Sequence, residues 1–381
     1  MTILKMLLTA AVLLLFGCAT AADPEQAGPS ETPATFAVDL RDIPRLEAII
    51  PQLTEKWVVF VGESHDRYSH HLNQLAIIRG MHERHPDLVI GLEFFQQPFQ
   101  HYLDDYVAGK ISEEQMLRGT EYYSRWKFDY RLYRPILNYA REQGLKLLAL
   151  NVPAELTRKV ARQGFDGLEP EERAQLPEIG EAGEAYRERL QSIYSTHPHE
   201  GEDNEKAFEY FMQAQLLWDE GMAERAADFL SENPERAMVL LAGSGHLAYG
   251  VGIPSRLERR IAVDTALVLN DPGEELTPDI ADFVLMTESV SLPPKGRLGI
   301  FMEDSDNGVL VRDFTEESAA RSAGLQKEDR MVQIDGQPID NTTDVQLALL
   351  DGDPGDTVTL TVERGRWLAG SEQVEYSVTL R

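Results

Sequence analysis

Of 381 residues only one is cysteine, Cys18, so no disulfide can form within the chain. Basic residues are few as well: 36 Lys and Arg stand against 64 Asp and Glu, a formal net charge of -28. A surface this acidic repels phosphate backbones and anionic headgroups, which argues against nucleic acid as a partner and against membrane attachment through a basic patch. The sequence holds no Gly-x-Ser-x-Gly elbow and no Walker loop, the local signatures of a serine hydrolase and of a nucleoside-triphosphate site. The mostly apolar stretch from Met6 to Phe16 is too short to cross a bilayer as a helix.

That stretch follows Lys5 and has the length of a secretory signal core. Leu15-Phe16-Gly17-Cys18 resembles the lipobox of bacterial lipoproteins, with Phe16 where a small residue is usual. The resemblance implies removal of residues 1–17 and acylation, including palmitate, at Cys18. A lipidated Cys18 leaves no free thiol, which rules out a thiol nucleophile. Residues 18–36, rich in Ala, Pro, Glu, Ser and Thr, suit a flexible stalk. Ala19, where Asp would signal inner-membrane retention, implies an outer-membrane anchor facing the periplasm of a bacterial envelope.

Beyond the stalk, short apolar runs alternate with amphipathic stretches, which predicts an α/β domain over 37–288 with a mainly parallel sheet flanked by helices. Strands are expected at Trp57–Val61, Leu88–Leu92, Leu145–Leu150, Ala237–Leu241 and Ile261–Leu269. Helical spacing marks Leu72 to Met81, a segment opened by Pro153, and an acidic segment from Asn204 to Leu230. The texture changes near Ser289 to Pro294, and a second domain is expected over 291–381.

Expected strands of the first domain run into polar residues. Val58 to Val61 leads to Gly62-Glu63-Ser64-His65, Leu88 to Leu92 to Glu93, Leu145 to Leu150 to Asn151, and Met238 to Ala242 to Gly243-Ser244-Gly245-His246. Ligands of parallel sheets bind at the carboxyl ends of strands, so Glu63, His65, Glu93, Asn151 and His246 are expected to line one cleft. Two imidazoles and two carboxylates, Glu63, His65, Glu93 and His246, could ligate a divalent ion. The same four could act without metal, His as base and Glu as acid. His82 and His85 are read as solvated, and the His197 and His199 pair as a turn.

These strand-end motifs, with the Trp126 to Pro135 segment, Leu150-Asn151-Val152-Pro153 and the run Gly243 to Pro254, resemble the ChaN-like haem-binding lipoproteins. The wider group includes the erythromycin esterases and the Tiki and TraB proteins. The ChaN-like resemblance implies a lipoprotein that binds haem in iron acquisition, with a tyrosine as axial ligand and dimers sandwiching the haems. Tyr133 and Tyr249 both lie in matching motifs, and His65, Asn151 and His246 would share the haem cleft. For the other branches it implies an esterase or peptidase, metal-dependent or acting through Glu and His.

From Gly296 short strands and two helices resemble a bacterial PDZ domain, a small β-barrel. The match rests on Leu298-Gly299-Ile300, Ala323-Gly324-Leu325 and Ile334-Asp335-Gly336. It implies binding of a partner's extended carboxyl terminus, with the backbone of Arg297, Leu298, Gly299 and Ile300 meeting the carboxylate. Arg297 stands where Gly is common.

Overall fold

Val58-Val59-Phe60-Val61 and Met238-Val239-Leu240-Leu241 are fully buried runs, the pattern of strands covered on both faces. In the computed structural model, which describes residues 37–195, 204–271, 273, 276–366 and 370–381, they form the centre of a six-stranded sheet. Cys18, the stalk, His197 and His199 fall outside the described residues. The strands are β1 (Val58–Glu63), β2 (Val89–Gln96), β3 (Lys146–Asn151), β4 (Met238–Gly243), β5 (Thr265–Asn270) and β6 (Phe283–Leu285). Their order is β3-β2-β4-β1-β5-β6, parallel throughout.

Alternation along each strand divides the core into two layers. Val59, Val61, Val239 and Leu241 pack with Ile77, Ile78 and Met81 of the helix Tyr68–Arg84, and with Ile136 and Leu137 of the helix Arg134–Gln143. Val58, Phe60, Met238 and Leu240 face Met222, Ala223 and Ala226 of the helix Asn204–Glu232, and Leu257 of the helix Ile253–Arg260. Each such buried side chain stabilises the fold by about 1.5–3 kcal/mol before entropy is counted.

The expected strands are present with shifted ends. Ile261 does not open β5, because its amide closes the preceding helix on Leu257 O. Pro153 stands at the N-cap of Ala154–Gln163, one place before the helix it announces. The segment between β2 and β3 folds into short helices that no sustained periodicity marks, including Glu113–Gly119, which a Ser112 and Gln115 capping box starts. His82 and His85 are half-buried and bonded, to Tyr139 Oη at 2.8 Å and Thr54 O at 2.9 Å, and so are partly rather than fully solvated.

The second domain is an antiparallel sheet in the order β12-β11-β9-β8-β7, formed by β7 (Ile300–Ser305), β8 (Gly308–Phe314), β9 (Arg330–Ile334), β11 (Thr357–Arg366) and β12 (Gly370–Thr379). A two-residue β10 (Gln337–Pro338) pairs with β9. Helices Ala319–Ala323 and Thr342–Ala348 fill the gaps around a separate core that includes Leu298, Val311, Ile334 and Leu360. The chain divides into two units, Met1–Ile43 and Pro44–Arg381, and both domains lie in the second. Leu350 is buried in the α/β core with Leu292 and Leu347 against it. Arg118 pairs with Asp344, Arg134 with Asp351, and Arg131 Nη1 donates to Pro293 O at 3.0 Å.

Candidate functional site

Strand parity places the two halves of the site on opposite faces of the sheet edge. Glu63 follows Val59 and Val61 in step and turns toward the helix Tyr68–Arg84, whereas Glu93, one residue past Leu92, turns the other way. Pairing of β2 with β3 slips between Leu92 and Gln96, and pairing with β4 extends to Leu92, so Glu93 is free of the ladder. Gly243 at the end of β4 lies between the halves and donates its amide to Glu93 Oε2 at 2.6 Å. A Cβ on Gly243 would sit 3.0 Å from His65 Cε1, so only glycine lets the ring approach this closely.

In the first half, His65 Nδ1 donates to Glu63 Oε1 at 2.6 Å. Buried His71 closes the far side, its Nε2 3.2 Å from His65 O and 3.6 Å from Glu63 Oε2. His70 Nδ1 accepts the Ser64 amide at 3.0 Å. The His65 ring is 27% exposed and faces Trp126 at 4.7 Å and Phe128 at 5.0 Å between centroids. Burial opposes its charge, but the Glu63 hydrogen bond and the fields of Glu93 and Glu63 outweigh burial and His246, and raise its pKa.

In the second half, His246 Nδ1 donates to Asp219 Oδ1 at 2.6 Å, and its Nε2 lies 3.5 Å from Glu93 Oε1. Burial and Arg189 work against protonation, yet Asp219 and Glu93 carry the pKa up to about 9. His246 is therefore an imidazolium at neutral pH. Asn151 supports the same half, donating Nδ2 to Glu93 O at 3.0 Å. Glu63 Oε2, Asn151 Oδ1 and Ser244 Oγ are buried without a hydrogen-bond partner, so the strand ends keep unused polar capacity.

The structure thus brings Glu63, His65, Glu93, Asn151 and His246 together. Tyr133 stands behind them, fully buried, its hydroxyl donating to His65 O at 3.3 Å and accepting from Trp126 Nε1 at 3.1 Å. Burial first, then Glu63, pushes its phenol well above the ordinary range. Tyr249 lies to the side, half-buried, with a left-handed φ of 62° and Arg189 5.1 Å above its ring. Among the described residues no group of three or more His, Cys, Asp or Glu is set out to hold a metal ion, and no helix is long and apolar enough to cross a membrane.

Two members of the site escape sequence reasoning. Asp219 sits on the Asn204–Glu232 helix, far from any strand end, and also accepts from Tyr186 Oη at 2.7 Å. Its one signal is a carboxylate directly after the apolar run Leu216-Leu217-Trp218. His71 is marked only by standing next to His70.

A family described as haem-binding uptake, Tiki superfamily, ChaN matches residues 49–257, more than half of the chain. The chain belongs to this family. A PDZ domain matches residues 296–380. The solved structure of Campylobacter jejuni ChaN, described by its cofacial haem binding, is 20% identical with a TM-score of 0.53, and covers 64% of this chain and 92% of that one. At this identity the likeness establishes the fold. A mutant of the erythromycin esterase EreC, solved in its open conformation, is 18% identical with a TM-score of 0.38 over 59% of this chain and 72% of its own. The chloroplastic protein RETICULATA-RELATED 5 of Arabidopsis thaliana is 25% identical over 248 residues, 60% of this chain. The chain spans about a third of that relative's length, 33%.

In the PDZ domain the residues expected to bind a peptide line a groove of about 500 Å³ with the helix Thr342–Ala348. Leu298 O accepts from Ala320 N and Ser318 Oγ, and Gly299 O from Thr315 N. A trans peptide sets C=O and N–H on opposite sides, so the Gly299 and Ile300 amides point away from the domain interior. Gly299, at φ +71°, makes that turn possible.

Proposed function

We propose that the chain is a membrane-anchored lipoprotein of the bacterial envelope that binds haem for uptake or transfer, and that its PDZ domain recruits a protein partner. Membership of the ChaN family over residues 49–257 carries this reading. The site suits the ligand. Trp126 and Phe128 offer flat apolar faces beside His65, and Glu63 accepts a hydrogen bond from Nδ1–H, which fixes the tautomer with Nε2 free to ligate ferric iron. His246 is less suited, because both nitrogens face carboxylates. Tyr133 would have to give up buried bonds and ionise, whereas half-buried Tyr249 is a second axial candidate. Lipid at Cys18, an outer-membrane position and a dimer around the haem belong to the same proposal, the last supported by the cofacial haems of Campylobacter jejuni ChaN. Hemin titration of the purified chain is expected to give a shifted Soret band that weakens at least tenfold in affinity in His65→Ala. An unshifted band with wild-type protein overturns the reading.

The two histidine–carboxylate pairs favour one second reading, an esterase or peptidase. Glu63 makes His65 a base able to take a proton from water, and charged His246 returns one to the leaving group. Glu63, His65, Glu93 and His246, the set expected to ligate a divalent ion, are not set out to hold one as they stand, since each histidine Nδ1 is bonded to a carboxylate, so an ion would require them to rearrange. Activity that survives both His65→Ala and His246→Ala sinks this reading, and metal analysis of the same protein decides the ion.

A further inference from the structure

The PDZ groove is not built by the PDZ domain alone. Lys127, Phe128 and Asp129 of the α/β domain line it opposite Lys295, Arg297 and the apolar Leu298, Ile300 and Val345. The same Phe128 ring lies 5.0 Å from the His65 ring and 5.6 Å from Trp126. One residue therefore forms a wall of the peptide groove and a wall of the ligand cleft. The segment is set by an unusual backbone: Lys127 holds φ at 70°, a strained conformation for a non-glycine residue and one that clusters at functional sites.

Charge around the groove is matched on one side only. Asp129 is engaged by Arg131 at 2.8 Å, and Asp304 accepts the Thr342 amide at 2.6 Å. Lys127, Lys295 and Arg297 form no ion pair among the described residues, in a chain carrying a net charge of -28. Lys295 is half-buried, and burial first, then Arg131 and Arg297, lower its pKa against the pull of Asp129. Unpaired cations beside outward amides and apolar walls complement an extended peptide that ends in an apolar residue with a free carboxylate.

We propose that such a peptide carboxyl terminus is held by both domains at once, Lys127 and Phe128 supplying one wall, and that its arrival is passed through Phe128 to His65. The inference rests on the proposed recruiting role of the PDZ domain. Packing of Leu350 into the α/β core and the arginine ties between the domains keep the groove seated on this wall.

The test uses the full chain and fluorescein-labelled decapeptides ending in Val, Leu or Phe, as free acids and as amides. Free acids are expected to bind at least tenfold more tightly than amides, and Lys127→Ala to weaken them about fivefold. Lys127 is exposed, so this variant leaves the core intact. Phe128→Leu keeps an apolar side chain but removes the ring. Saturating free acid is expected to move the His65 Cε1–H resonance, assigned with His65→Gln, in wild type and not in Phe128→Leu. Free acids that bind wild type and Lys127→Ala equally, with an unmoved His65 resonance, overturn the inference and leave PDZ recruitment standing. Weaker binding to Lys127→Ala with an unmoved resonance keeps the shared wall and overturns the relay. Failure of every free acid to bind overturns both the inference and the recruiting role.

Discussion

His246 shows how one unheralded neighbour resets a side chain. Asp219 and Glu93 hold its pKa near 9, above the 6.5 of an unperturbed imidazole. A raised pKa means the folded state binds the proton more tightly, so the stabilisation is complete below about pH 6.5 and is lost as pH rises through about 9. Its size is on the order of 3 kcal/mol. In Asp219→Asn the His246 titration, followed by NMR, is expected to fall by more than about one unit, and stability between pH 6.5 and 9 to become flatter. Gly243→Ala tests the other half. Its Cβ would meet His65 Cε1 at 3.0 Å. A shift of the ring by a few tenths of an ångström is expected to lower stability by about 1–3 kcal/mol in urea unfolding and to weaken hemin binding, though less than His65→Ala does.

The Asn204–Glu232 helix is the element that ties the site to the fold. Asp219 reaches His246, and the next residue, Glu220, is fully buried between Arg259 Nη2 at 2.7 Å, Arg260 Nη1 at 2.6 Å and the Gly180 amide at 3.0 Å. Burial would raise the Glu220 pKa, but those bonds keep it below the ordinary carboxylate range. Its contribution is therefore present above that range and is lost as pH falls through the lowered value. Glu220→Ala leaves buried Arg256 without its carboxylate, takes one of two from half-buried Arg260, and is expected to cost about 3–5 kcal/mol by chemical denaturation. The strand ends that carry Glu63, Glu93 and Gly243 are readable in the sequence because Val58–Val61, Val89–Leu92 and Met238–Ala242 are short apolar runs that lead directly into Gly62-Glu63, Glu93 and Gly243-Ser244. The helix is not, because its 29 residues mix acidic and apolar positions, and little in the sequence separates buried Asp219 from exposed acids of the same helix such as Asp228 and Glu232.

The two domains are tied together because Leu350 of the PDZ domain packs into the α/β core and Arg118, Arg131 and Arg134 reach across. Leu350→Asp buries a charge at that seam and is expected to split a single calorimetric unfolding transition into two. If the groove and cleft communicate as proposed, the same variant reduces the peptide-induced movement of the His65 resonance. Surviving cooperativity in Leu350→Asp would show that the arginine ties alone hold the domains together. Raising salt weakens the exposed Arg134–Asp351 tie far more than the leucine contact, so wild-type cooperativity is expected to persist at high ionic strength.

Apolar runs, their spacing and the residues just after them are enough to fix the α/β class, the following PDZ domain and the gathering of Glu63, His65, Glu93, Asn151 and His246. Strand parity and chain connectivity are local properties, and they send strand ends to one edge. What folding adds comes from side chains distant in sequence. Asp219 becomes the partner of His246, Tyr133 is buried behind His65, and Phe128 comes to stand between the cleft and the PDZ groove. These pairings follow from how helices pack across the sheet and how one domain seats on the other, and no pattern in a linear sequence encodes that packing locally.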